Sequence, residues 1–214
     1  MTLWDLERCQ DPLMWMNEPP ELEYDFRYGK LSVQTGAKTD FWRRTYYGFV
    51  RDSGHAALLP VDGECELLAS FEGSYVDQYD QAGVMLRVDA SRWIKAGIEF
   101  VDGNQNASVV HTNDISDWSM VPLTQPYPGI FFLRVLRLHD SVQVFFRVDE
   151  AHPWTLMRLV PFPGDATVCV SCLLCIVWHC FPIAYDRCRR DLRQFVFAVL
   201  SAQWRVPPKE TGFA

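Results

Sequence analysis

Between Gln81 and Phe100 the chain alternates apolar and polar residues on both sides of a single turn. Ala82, Val84, Leu86 and Val88 share one parity. After Asp89-Ala90-Ser91-Arg92, the residues Ile94, Ala96, Ile98 and Phe100 share another. A two-residue repeat on both arms is the pattern of an antiparallel hairpin with one buried face, because successive strand side chains point to opposite sides. The pattern also predicts a register. On the second face a symmetric hairpin sets Arg87 opposite Trp93 and Met85 opposite Lys95. Gly83 then faces Gly97, and Gln81 faces Glu99.

Shorter pieces of the same kind occur along the chain. Lys30-Leu31-Ser32-Val33-Gln34 alternates, and Cys65 to Phe71 reads as a strand with Leu67, Ala69 and Phe71 facing in. Phe131–Leu138 and Val142–Val148 flank His139-Asp140-Ser141, and Trp154–Val160 follows a turn at residues 149–153. Asp52-Ser53-Gly54, Asp62-Gly63 and Asp102-Gly103-Asn104 are turns. Many short strands at this spacing predict an all-β sandwich or barrel. No helix of crossover length separates them, so parallel βαβ units are excluded. The 214 residues suit one domain, and 49% hydrophobic against 22% charged residues is enough to build a core.

Charge and cysteine usage narrow the partners. A net charge of −7 disfavours nucleic acid, whose binding depends on neutralising phosphates. The first twenty residues carry early acidic groups and no apolar run, unlike a secretory signal. The most apolar stretch, Val168 to Ala184, is broken by Ser171, His179 and Pro182, so no membrane span is expected. Seven cysteines without a signal point to reduced thiols and a cytoplasmic location.

The second face of the central hairpin is the candidate site. Facing glycines leave a bare floor, and a strand glycine often marks close approach by a ligand or another backbone. Gln81, Lys95 and Glu99 rim that floor, with Tyr75, Tyr79 and Asp80 at its mouth. Aromatic platforms beside carboxylate and amide groups suit sugar recognition. The plainer alternative is a solvated face with a weak Lys95–Glu99 pair.

Other chemistries find less support. Cys169, Cys172, Cys175, His179 and Cys180 run consecutively through an apolar stretch rather than as paired, spaced ligands, so no metal is expected. No nucleophile elbow, phosphate loop or dinucleotide fingerprint occurs, and no cofactor is expected. Glycoside hydrolysis needs two carboxylates about 5 to 10 Å apart. Glu64 with Glu66 lies at a turn, and Glu99 with Asp80 is a looser pair.

Several motifs together resemble one family. They are Trp15-Met-Asn-Glu-Pro-Pro20, Thr39-Asp-Phe-Trp-Arg-Arg-Thr-Tyr-Tyr-Gly48 and Tyr79-Asp-Gln-Ala-Gly-Val-Met-Leu-Arg87. Trp93-Ile-Lys-Ala-Gly-Ile-Glu99, Asp102-Gly103 and Ser116-Asp-Trp-Ser119 complete the set. In this order, over about residues 14 to 160, they resemble the fungal "regulation of enolase" protein family. The resemblance implies a concanavalin A-like jelly-roll sandwich of two antiparallel sheets and a regulatory role toward a glycolytic enzyme. Its matched polar positions include Asp40, Trp42, Arg44, Tyr46, His55 and Trp118. Fold alone does not imply function.

The chain departs from the family after about Val170, which divides it into a sandwich over 1–170 and an atypical segment over 171–214. Arg187, Arg189, Arg190 and Arg193 cluster in that segment, and Asp186 to Trp204 is a candidate amphipathic helix. The segment is read either as a product of an altered reading frame or retained intron, or as a helix covering an open sheet edge.

The reading is a non-enzymatic binding or regulatory domain, with no residue assigned to catalysis. Its ligand is a carbohydrate or small polar metabolite, or its partner is a metabolic enzyme such as enolase. Tyr79, Asp80, Gln81, Lys95, Glu99 and Trp118 are the binding candidates. The alternatives are a glycoside-active enzyme using Glu99 and Asp80, and a protein-interaction module.

Overall fold

The structure is a computed structural model that describes residues 14–25, 30–124, 129–164, 166–176 and 193–198. The described residues form strands and no helix. In chain order the strands are β1 (Met14–Met16), β2 (Glu21–Asp25), β3 (Lys30–Thr35), β4 (Phe41–Arg43), β5 (Val50–Asp52) and β6 (His55–Val61). Then come β7 (Cys65–Gly73), β8 (Asp80–Arg87), β9 (Arg92–Val101), β10 (Asn104–Asn113) and β11 (Ile115–Pro122). The last five are β12 (Phe131–Leu138), β13 (Ser141–Arg147), β14 (Thr155–Pro161), β15 (Val168–Ile176) and β16 (Arg193–Ala198).

Two seven-stranded sheets form a jelly-roll sandwich. The first runs β1-β6-β15-β8-β9-β10-β11 and the second β14-β13-β12-β7-β16-β3-β2. The central hairpin is β8–β9, and all four facing pairs on its second face are observed: Gln81–Glu99, Gly83–Gly97, Met85–Lys95 and Arg87–Trp93. Its inward parity (Ala82, Val84, Leu86, Ile94, Ala96, Ile98) joins Ala107 and Val109 of β10 against Leu67, Phe71, Leu133 and Val135 of the second sheet. Each large side chain buried there stabilises the fold by about 1.5–3 kcal/mol.

The hairpin does not have one buried face but two. All eight positions of β8 are buried, and on the second face Met85 and Trp93 are fully enclosed. The cover is a two-stranded ribbon, β4–β5, whose Phe41 and Trp42 pack with Met85, Trp93 and Val110 into a second apolar cluster. Two anchors hold the ribbon down, and a third contact closes its own ends. Arg87 donates to both carboxylate oxygens of Asp52, at 2.9 and 2.8 Å. The Arg43 backbone N–H donates to Ser116 Oγ at 2.9 Å. The Ser53 and Gly54 backbone N–H groups both donate to the Asp40 carbonyl.

The C-terminal segment also differs from expectation. Of the candidate helix over 186–204, the described part, Arg193–Ala198, is a strand. It lies between β7 and β3, pairing Phe195 with both Val33 and Gly73. The β-branched and aromatic run Phe195-Val-Phe197 and two neighbouring strand edges prevail over the helix expected there. The rest of that candidate helix lies outside the described residues, as do the side chains of Cys172, Cys175, His179 and Cys180.

Candidate functional site: an aromatic cleft over buried charges

The pleat directs Lys95 and Glu99 of β9 to the ribbon-covered face, four residues apart on the same side. There they meet Asp40, which enters β4. Asp40 Oδ1 accepts from Lys95 Nζ at 3.1 Å, from Gln81 Nε2 at 3.4 Å and from its neighbouring Phe41 N–H at 2.7 Å. The Lys95 and Asp40 side chains are only 4% and 9% exposed. A buried pair of this kind gains little net stability, because desolvation offsets the mutual attraction.

Glu99 is buried beside this pair. Ser108 Oγ donates to Glu99 Oε2 at 2.7 Å, and Trp118 Nε1 donates to the same hydroxyl at 2.9 Å. Burial pushes the Glu99 carboxyl above its ordinary range, opposed by the Lys95 charge and the Ser108 bond and reinforced by Asp40.

Aromatic rings wall the space above. Trp118 meets Trp42 edge-on at 6.4 Å and Tyr79 at 6.3 Å. Tyr47 stacks on Phe49 at 5.4 Å, and its hydroxyl is 2.9 Å from that of Tyr79. Burial, then the Tyr79 bond, raise the Tyr47 phenol well above its usual value. The space lined by these rings, Asp40, Lys95 and Glu99 is ≈ 290 Å³ out to its open mouth. Of this, water can occupy ≈ 20 Å³, room for one molecule.

The segments that carry Tyr47 and Tyr79 are strained. Arg44, Tyr46 and Tyr79 hold φ of 62°, 61° and 69°, the left-handed region that non-glycine residues rarely adopt. Such outliers concentrate at binding and switch sites. Tyr46 stands 90% exposed at the loop tip, edge-on to Tyr47.

Five of the six candidates come together around this cleft: Tyr79, Gln81, Lys95, Glu99 and Trp118. Asp80 stands apart. Its parity is that of Ala82, so the pleat turns it away from Glu99. Its Oδ2 accepts from the Val76 and Asp77 backbone N–H groups, both at 2.8 Å, which fixes the turn before β8. The structure therefore does not assemble a Glu99–Asp80 carboxylate pair. Tyr75 likewise packs toward the inter-sheet core. The facing glycines answer to backbone rather than ligand. A Cβ on Gly83 would lie 2.0 Å from the Ala96 carbonyl oxygen, and one on Gly97 would lie 1.9 Å from that of Ala82.

Hairpin symmetry alone did not point to Asp40, Trp42, Tyr47, Phe49 or Ser108. The available signal was the dense run Asp40–Phe49, whose Asp40 and Trp42 are among the matched family positions. A roomier groove, ≈ 610 Å³ out to its open mouth, lies between Arg92, His111, Asn113, Asp140 and Phe162. Its arginine is already committed to Asp89, at 2.8 and 2.6 Å, and it has two aromatic rings, His111 and Phe162, where the cleft has five.

Fold and site together define a two-sheet antiparallel sandwich with a ribbon-covered aromatic cleft. The chain belongs to the family described as "Protein of unknown function (DUF1349)", which matches residues 15–176. It is 40% identical over 164 residues to "Regulation of enolase protein 1" of Saccharomyces cerevisiae, spanning 75% of this chain and 79% of that protein. A crystal structure of a functionally unknown protein from Saccharomyces cerevisiae superposes with a TM-score of 0.78 at 33% identity. That match covers 94% of this chain and 97% of the other. The xylan β-1,4-xylosidase of Bacillus halodurans C-125 shares the fold alone, with a TM-score of 0.61 at 12% identity. It is matched over 92% of this chain but 38% of its own length.

Proposed function

We propose that this protein is a non-enzymatic, cytoplasmic binding domain whose cleft takes a sugar or small polar metabolite, and that it regulates a metabolic enzyme. The observation that carries the reading is the buried Lys95–Asp40–Glu99 group under a half-open wall of aromatic rings. Such charges contribute little to folding, yet they offer a ligand fixed donors and acceptors beside stacking surface. The name of the Saccharomyces cerevisiae relative supports enolase as the enzyme to try first.

The test is thermal unfolding against a panel of mono- and oligosaccharides and glycolytic intermediates. A ligand at one hundred times its dissociation constant adds about 2.7 kcal/mol, roughly 5–10 °C for a chain of this size. Trp118→Ala and Glu99→Ala should each abolish the shift. A shift that survives both variants places the ligand elsewhere. Enolase turnover, measured with and without this protein and the ligand so found, tests the regulatory half. Unchanged turnover removes enolase as the target.

A protein-interaction module is the second reading. It is favoured by large apolar residues exposed on the edge strands, Met120 (43%) and Val121 (47%) on β11 and Leu156 (53%) and Leu159 (60%) on β14. A folded protein that shifts with no small molecule would favour this reading.

A further inference from the structure

We infer that the cleft selects an uncharged, polyhydroxylated ring (an unphosphorylated sugar) and rejects phosphorylated metabolites. The inference rests on the ligand-binding reading above and adds the class of ligand.

It follows from the charges at the cleft floor. Lys95 is the cation there, and it is ion-paired to Asp40 at 3.1 Å. With Glu99 protonated, the three groups sum to zero. With Glu99 ionised, they sum to minus one. Neither state offers net positive charge to a phosphate, which would have to leave water to enter an aromatic-walled space. Burying a charge without a compensating partner is strongly unfavourable. Arg51 lies over the outer ring, Phe49, at 5.2 Å. Its guanidinium is exposed, where water and salt screen it.

The walls complete the selection. Trp118, Tyr79 and Tyr47 line the cleft and pack edge-on against one another, and the cleft has room for one water-sized group. A sugar ring lies across the mouth and sends one hydroxyl down to the Lys95–Asp40–Glu99 group. A phosphate is larger than that space and carries the wrong charge for the groups beneath it.

The test uses matched pairs: glucose, galactose and mannose, each beside its 6-phosphate, together with the neutral sugars xylose, cellobiose and maltose. Binding to the full chain is read by calorimetry and by tryptophan fluorescence. The expected result is that at least one neutral sugar binds. Any 6-phosphate is expected to bind at least tenfold more weakly than its parent or, where no parent binds, than the best neutral sugar. In Asp40→Asn, which removes one negative charge from the floor, that gap should narrow by at least tenfold. A 6-phosphate that binds wild type as tightly as its parent, or more tightly, overturns the charge selection while leaving a ligand cleft in place. A gap unchanged in a folded Asp40→Asn overturns it as well. No binding by any member of the panel overturns both the selection and the ligand-binding reading. If Asp40→Asn gives no cooperative melt, the wild-type pairs decide the question alone.

Discussion

The two faces of the β8–β9 hairpin are built from the same two strands yet follow different rules. Toward the second sheet, Ala82, Val84, Leu86, Ile94, Ala96 and Ile98 form a dry aliphatic layer. Toward the ribbon, Lys95, Glu99 and Gln81 are just as hidden from water, at 4%, 7% and 5% exposure. The first face explains why the chain folds. The second holds ionised groups at a desolvation cost that well-packed apolar residues would avoid. Equal burial with opposite chemistry separates the part of the sheet that serves stability from the part available for binding.

The largest expected effect tests what the two faces share. Gly97→Ala forces a methyl into the Ala82 carbonyl, so β8 and β9 must part. A loss of about 3 kcal/mol or more in chemical denaturation is expected, near the upper end for overpacking. A loss under 1 kcal/mol would mean that the strands can separate easily.

Single substitutions on either face should next be similarly harmful but differ in whether they can be rescued. Leu86→Ala in the dry layer should lose about 2–5 kcal/mol. Lys95→Met strands the Asp40 carboxylate and should lose about 3–5 kcal/mol. Adding Asp40→Asn should recover most of the second loss and none of the first. Failure of that rescue would place Lys95 among the structural residues.

A smaller effect concerns the cover. Arg87→Met removes two charge-assisted hydrogen bonds to Asp52 and should lose about 1–3 kcal/mol. Faster amide exchange in β4–β5 than in β12–β13 would show that the loss is local to the ribbon.

The smallest effect depends on pH. The Glu99 carboxyl is raised above its ordinary 4.5. Its contribution to stability is therefore full below 4.5 and is lost as pH climbs through the folded-state value. Glu99→Gln removes that slope, so its melting temperature relative to wild type should rise as pH increases above 4.5. A difference independent of pH would mean that Glu99 ionises equally easily folded and unfolded.

Much of this was legible from alternation. The parity of Ala82 and Ile94 predicted the inner face, and symmetry about Asp89–Arg92 predicted all four facing pairs. The same parity assigns Asp80 to the inner face, so its separation from Glu99 could have been read from Ala82 two residues on. The ribbon could not be read this way. Asp40 and Lys95 are 55 residues apart, and β4 and β5 are three residues each, too short for any period to show. Only the aromatic density of Phe41–Phe49 hinted at a cover. In the C-terminal segment, Phe195 and Phe197 carried a strand signal that the helix expected there obscured.

The most direct test of the central claim is thermal unfolding of the Asp40→Asn/Lys95→Met double variant, with and without the sugar that shifts wild type. The account predicts a cooperative melt within a few degrees of wild type, and no shift on adding the sugar. Loss of cooperative folding would show that the buried charges hold the sandwich together. A sugar shift that survives the substitutions would show that they do not form the binding site.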